Sequence, residues 1–153
     1  MPADAFLLMR ITLFAAVVPL IARLPISRLR ALVEPPRFHP HSDPTQVERI
    51  IRCTESVCRI GSPLIAQRCM TRGLTLYYFL RRAGVDASLV FGAGRVQGQF
   101  AGHCWLVRDG EPYLEKTDPR DLFTPIYTFN DSTATGHEAQ RVGEAIRWAE
   151  PRS

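Results

Sequence analysis

Residues 69–84 read CMTRGLTLYYFLRRAG and residues 103–116 read HCWLVRDGEPYLEK. In the first stretch Cys69, Gly73, Leu76 and Leu80 recur at i, i+4, i+7 and i+11, the spacing of the core-facing stripe of a helix, and Gly84 supplies its stop. That helix is expected from about Cys69 to Ala83. After Val85 the pattern changes to short apolar runs: Ala87 to Phe91, a Gly-rich turn around Gly92 to Gly94, then His103 to Val107. Asp109-Gly110 is a strong two-residue hairpin signal, and Pro112 to Lys116 is the returning strand. Helices come first and an antiparallel sheet follows, which makes the fold class α+β.

Upstream, Asp43 is placed to cap a helix with Pro44 at its first position, Gln46 completing a capping box and Gly61 just past the end. Val47, Ile50, Ile51, Thr54 and Val57 form its buried stripe, and Cys53 and Cys58 fall near that stripe as core cysteines. Earlier still, Ala5 to Arg23 and Ser27 to Val33 read as helices, the second stopped by Pro35 and Pro36, with a linker over 35–43. Three segments follow: a helical segment over 1–36 packing on or capping the domain, a catalytic core over 37–130, and a polar tail over 131–153 with at most a weak helix. Leu122 to Phe129 adds a further strand.

The chain has 153 residues, is 46% hydrophobic and 22% charged, and shows no low-complexity run, which fits one globular domain. Its formal charge of +4 comes almost entirely from arginine, since Lys116 is the only lysine among 19 basic residues. No helix-turn-helix, zinc-finger or aromatic RNA-binding pattern accompanies that charge, so nucleic acid is not an expected partner. Ala5 to Ala22 is the most apolar stretch, but Arg10 and Pro19 interrupt it, and the run Ile11 to Ala22 is short against the ~20 residues of a membrane span. A core helix, a membrane-leaning helix and a signal segment without a clear cleavage site are the three readings of it. Four cysteines, Cys53, Cys58, Cys69 and Cys104, in a chain long enough to bury a core are expected as reduced thiols in a cytoplasmic protein.

Cys69 opens its helix, where unpaired backbone N–H groups and the positive dipole end favour a thiolate. A base must come from elsewhere, and His103 heads a strand expected to pack on that helix. His39 and His41 lie in the linker and His137 in the tail, where nothing fixes them against the helix. A carboxylate should hold the imidazole in its working tautomer, and the hairpin returns Glu115 and then Asp118 towards it. Trp105 shares the strand face of His103, where it covers the imidazole, binds substrate or is a plain core aromatic. Cys104 alternates with His103 and is expected to face away from the site as a core residue. Neither a metal nor a cofactor is expected.

The run Cys69-Met70-Thr71-Arg72-Gly73-Leu74, the exit Leu80-Arg81-Arg82-Ala83-Gly84-Val85, the strand Leu89-Val90-Phe91-Gly92 and the segment Gly102-His103-Cys104-Trp105-Leu106 with Asp109-Gly110 resemble the transglutaminase-like leader peptidases of lasso-peptide biosynthesis. The likeness is closest over Ser62 to Asp118. It implies a papain/transglutaminase-like cysteine protease in which Cys69 attacks the bond between leader and core peptide, His103 shuttles the proton and water resolves the acyl-enzyme. It also implies a precursor peptide as substrate, with a separate leader-recognition protein and an ATP-dependent cyclase as partners. Two positions depart from the family: Glu115 stands where an aspartate is usual, and Cys104 where a small residue is usual. The spacing across the Asp-Gly turn favours Glu115 over Asp118. Arg72, Arg81 and Arg82 read as a solvated helix face, with contact to an acidic leader or partner as the alternative. Other readings of the same residues are a different transglutaminase-like amide hydrolase or acyltransferase, and a non-catalytic peptide-binding module.

Overall fold

A computed structural model describes residues 2–35, 39–60 and 68–130. Four helices, α1 (Pro2–Ile21), α2 (Ile26–Val33), α3 (Pro44–Ile60) and α4 (Arg68–Arg82), precede four strands, β1 (Ser88–Val96), β2 (Gln99–Arg108), β3 (Glu111–Tyr113) and β4 (Phe123–Phe129). The strands form one antiparallel sheet in the order β3-β2-β1-β4. The α+β class expected from the sequence is the one observed. The expected Gly61 stop, the loop Ser62 to Gln67 and the tail over 131–153 lie outside the described residues.

α4 is the spine of the domain. Leu74, Leu76, Tyr77 and Leu80 have no exposed surface, because α1 and α3 cover one side of the helix and β1 and β2 the other. Burying side chains of this size contributes roughly 1.5–3 kcal/mol each, which is why α4 takes the centre. α3 begins where the sequence places it: the Thr45 N–H donates to Asp43 Oδ1 at 3.0 Å and Pro44 takes the first helical position. Ile50 and Thr54 of its stripe are buried, with Val47, Ile51 and Val57 packed partly against the same core.

α1 runs through Arg10 and Pro19, so the segment Asp4–Ile21 is long and apolar enough by length and composition to cross a membrane. Arg10 is accommodated by lying 5.8 Å from the ring centroids of both Phe6 and Phe79. Ile11, Ala15 and Val18 face the core beside Ile26, Leu29 and Val33 of α2. Phe6, Met9, Leu13 and Leu20 are exposed on the other side of α1.

The glycine-rich segment is not a turn. β1 continues through Gly92 and Gly94, and the hairpin closes later at Gln97-Gly98, with φ of 51° and 79°. The two glycines serve close approach instead. A Cβ on Gly92 would stand 2.7 Å from the Trp105 ring, and one on Gly94 would meet the Leu122 carbonyl. β3 is also shorter than expected, ending at Tyr113, because Leu114 adopts φ 64° and turns the chain off the sheet. The arginines of α4 divide: Arg81 is 7% exposed and pairs with Asp86 at 2.6 Å, whereas Arg82 stays exposed as expected, lying over Tyr78 and donating to the Val33 carbonyl at 2.7 Å.

Candidate active site

Cys69 is the second residue of α4, so its backbone N–H has no partner within the helix and the dipole end points at its side chain. β2 crosses this end of α4 and brings two residues to it. His103 comes close enough to the Cys69 sulfur for the two to shift each other's titration, and Cys104, its neighbour on the strand, sends its thiol to the Cys69 carbonyl at 3.1 Å. Glu115 comes from the turn after β3, and its Oε2 lies 3.7 Å from His103 Nε2. That separation is an ion-pair distance rather than a hydrogen bond. With Nε2 turned to Glu115, Nδ1 is the nitrogen left for the cysteine.

The electrostatics are those of a thiolate–imidazolium pair. The Cys104 thiol beside the sulfur, followed by the imidazole and charge of His103, overcomes burial and brings the Cys69 thiol down to about 4. The Cys69 contact, followed by Glu115, raises His103 to about 9 against the cost of burial. Glu115 is held below the usual carboxylate range: its burial pushes the other way and is outweighed by His103 and Arg72. Between those two limits the pair rests as a Cys69 thiolate beside a His103 imidazolium, the form a cysteine nucleophile needs.

These groups open into a cleft of ≈ 670 Å³, lined by Cys69, His103 and Glu115 together with Glu55, Cys58, Arg59, Leu114, Lys116 and Phe123. Asp118 also lines the cleft, but its carboxylate is committed elsewhere. It caps the short 3-10 turn η1 (Pro119–Asp121) by accepting from the Arg120 N–H at 2.9 Å, and it pairs with the Arg120 guanidinium at 2.6 Å. Trp105 is 1% exposed and is not among the cleft-lining residues. It stacks on His103 with centroids 5.9 Å apart and an interplanar angle of 20°. His39 and His41 run past the Gly84 turn and do not line the cleft, and His137 lies outside the described residues.

Three placements differ from expectation. Cys104 is buried as a core residue should be, but it faces the nucleophile: α4 lies against its side of β2, and Gly73 leaves the room its sulfur occupies. Cys58 is half-buried and lines the cleft rather than the core, because it sits late on α3 where the helix passes the mouth of the site. Arg72 is an internal partner of Glu115, at 2.8 Å, rather than a solvated side chain. Its position three residues after Cys69, one turn along the same helix face, is the signal that would have found it. No comparable signal marks Phe123, whose ring centroid lies 5.1 Å from that of His103 through the pairing of β4 with β1.

The family model described as the transglutaminase-like superfamily matches residues 10–128, a span that includes Cys69, His103 and Glu115. The chain belongs to the transglutaminase-like superfamily. Comparison with curated proteins and with solved structures finds no match. The superfamily includes cysteine peptidases and acyltransferases, both of which form an acyl-enzyme on a cysteine. The match begins at residue 10, so α2 and most of α1 lie within the span of the superfamily model.

Proposed function

We propose that this protein is a cysteine peptidase that removes the leader from a ribosomally made precursor peptide during lasso-peptide maturation. The observation that carries the chemistry is the juxtaposition of Cys69, at the start of α4, with His103 and Glu115 in an open cleft. The peptide substrate is supported by the resemblance of the Cys69 and His103 segments to the leader peptidases. A separate leader-recognition protein and an ATP-dependent cyclase are the partners this reading requires, in the cytoplasm, where the four thiols stay reduced.

In this mechanism the Cys69 thiolate attacks the carbonyl carbon of the scissile amide. The developing oxyanion is met by the Cys69 backbone N–H, which the helix start leaves unpaired. The His103 imidazolium gives its proton to the leaving amine, the core fragment departs with that free amine, and the leader remains as a thioester on Cys69. Neutral His103 then takes a proton from water, hydroxide adds to the thioester, and collapse returns the thiolate and the imidazolium. Glu115 keeps the imidazole turned so that Nδ1 faces the sulfur throughout. An acyltransferase would differ only in the group that resolves the thioester, an amine in place of water.

The test is incubation of the purified protein, with a candidate leader-recognition protein, with a lasso-type precursor peptide, followed by mass spectrometry. Cleavage at one bond, with an acyl adduct on Cys69 in quenched samples, is the expected result. Transfer of the acyl group to an amine would establish the acyltransferase reading, and binding without any adduct would leave a peptide-binding module.

A further inference from the structure

Arg72 binds three groups from two other parts of the fold. Its Nε donates to Glu55 Oε1 at 2.8 Å, its Nη1 to Glu115 Oε1 at 2.8 Å and its Nη2 to the Leu114 carbonyl at 2.6 Å. Three contacts on one guanidinium use the fork geometry that lysine lacks. The Leu114 contact is the informative one. Leu114 has φ 64°, a left-handed conformation that costs a residue with a Cβ roughly 1–2 kcal/mol and persists where its surroundings enforce it. The strained residue is the one that turns the chain after β3, and without that turn Glu115 would continue the strand instead of facing His103.

We infer that Arg72 is a positioning residue: from the helix that carries the nucleophile, it clamps the Leu114 carbonyl and one oxygen of Glu115, leaving the other oxygen aimed at His103. This rests on the catalytic reading of Cys69 and His103 and adds to it a dependence on the register of Arg72. The clamp lies one turn from Cys69 on α4, so it fixes the carboxylate relative to the sulfur and not merely relative to the sheet that carries the histidine. Glu55 of α3 holds the outer edge of the guanidinium and keeps it from swinging into the cleft. The side chains of Arg72 and Glu115 are 24% and 14% exposed, so solvent screens this pair less than an open surface pair.

The sign of one titration separates positioning from mere charge. Deleting a nearby cation with everything else in place would raise the pKa of His103, because one repulsion is gone. Releasing Glu115 from its aim would lower it, because the imidazolium loses its carboxylate. The experiment is an NMR titration of His103, with the pH dependence of Cys69 alkylation by iodoacetamide, in Arg72→Gln, Arg72→Lys, Glu115→Gln and the double variant Arg72→Gln/Glu115→Gln. The expected result is a fall of about one unit at His103 in Arg72→Gln, matching the direction in Glu115→Gln, and a double variant no further shifted than Glu115→Gln alone. Arg72→Lys, which keeps the charge but loses the fork, should fall part of the way and serves if Arg72→Gln does not fold. A rise or no change at His103 in a folded Arg72 variant, or additive shifts in the double variant, would overturn the assignment. No substrate is used, so failure of peptide cleavage leaves this test standing, and failure here leaves the Cys69–His103 pair intact.

Discussion

Gly73→Ala probes the contact that seats the nucleophile's helix on the sheet. In the middle of a helix, alanine is favoured over glycine by about 1 kcal/mol. Here the added Cβ would stand 2.8 Å from Cys104 Sγ and 3.3 Å from Leu89 Cδ1. The leucine methyl can give by a few tenths of an ångström, but the sulfur cannot move freely, since it is buried and bonded to the Cys69 carbonyl at 3.1 Å. Overpacking of this kind costs about 1–3 kcal/mol, so the single variant should lose up to ~2 kcal/mol net. Cys104→Ala should lose about 1–2 kcal/mol from the missing sulfur contacts and hydrogen bond. In the double variant the clash is gone and the helical gain returns, so it should be more stable than the sum of the singles by about 1–3 kcal/mol. Urea unfolding followed by circular dichroism, with the slope checked for constancy across the set, measures the cycle. Additivity within about 0.5 kcal/mol would show that Gly73 and Cys104 do not share the space and that the α4–β2 seating is wrongly drawn. Cys104→Ala should also raise the pH at which Cys69 becomes alkylated, since the Cys104 thiol beside the Cys69 sulfur favours the thiolate.

Cys69→Ala and His103→Ala should each abolish precursor cleavage while the circular dichroism spectrum is unchanged, because nucleophile and base act as a unit; turnover in either folded variant would refute the mechanism. Glu115→Gln should lower kcat/KM by orders of magnitude and Asp118→Asn only modestly, since Asp118 serves Arg120 and Glu115 faces His103. The reverse ranking on the same peptide would transfer the orienting role to Asp118. The pH profile of kcat/KM should be a bell: activity rises as the Cys69 thiol deprotonates near 4 and falls as the His103 imidazolium deprotonates near 9. An acid limb near the ordinary thiol value would show that no ion pair forms in the free protein.

The parts of this fold that were legible in the sequence are those fixed by local pattern. α3 announced itself through Asp43-Pro44, α4 through its apolar stripe and Gly84, and the β2–β3 hairpin through Asp109-Gly110, whose φ values of 53° and 82° are what that dipeptide supplies. Cys69 and His103 were legible because a helix start and a strand are both local features. What was not legible depends on distant contacts. Gly92 and Gly94 carry the same local signal as turn glycines, and only the approach of Trp105 and of the Leu122 carbonyl explains them. Leu114 gives no warning of its positive φ, since the groups that hold it, Arg72 above all, lie 42 residues away along the chain. Alternation along β2 correctly separates the faces of His103 and Cys104, but it does not say that the nucleophile's helix lies on the cysteine's side.

That last point decides how the base reaches the nucleophile. α4 packs on the Cys104 face of β2, so His103, on the other face of the strand, must reach Cys69 from beside the end of the helix rather than across the packed interface. A half-buried imidazole in that position needs walls. Trp105 stacks at 5.9 Å and Phe123 lies at 5.1 Å, so the ring is confined with its Nε2 towards Glu115. Cys69 and then Glu115 favour the imidazolium form against the cost of burial. Trp105 can lie flat behind the histidine only because Gly92 has no side chain, its would-be Cβ being 2.7 Å from the indole. A glycine within a strand costs roughly 0.5–1 kcal/mol relative to alanine, and here the cost is offset by a base held in one orientation before substrate arrives.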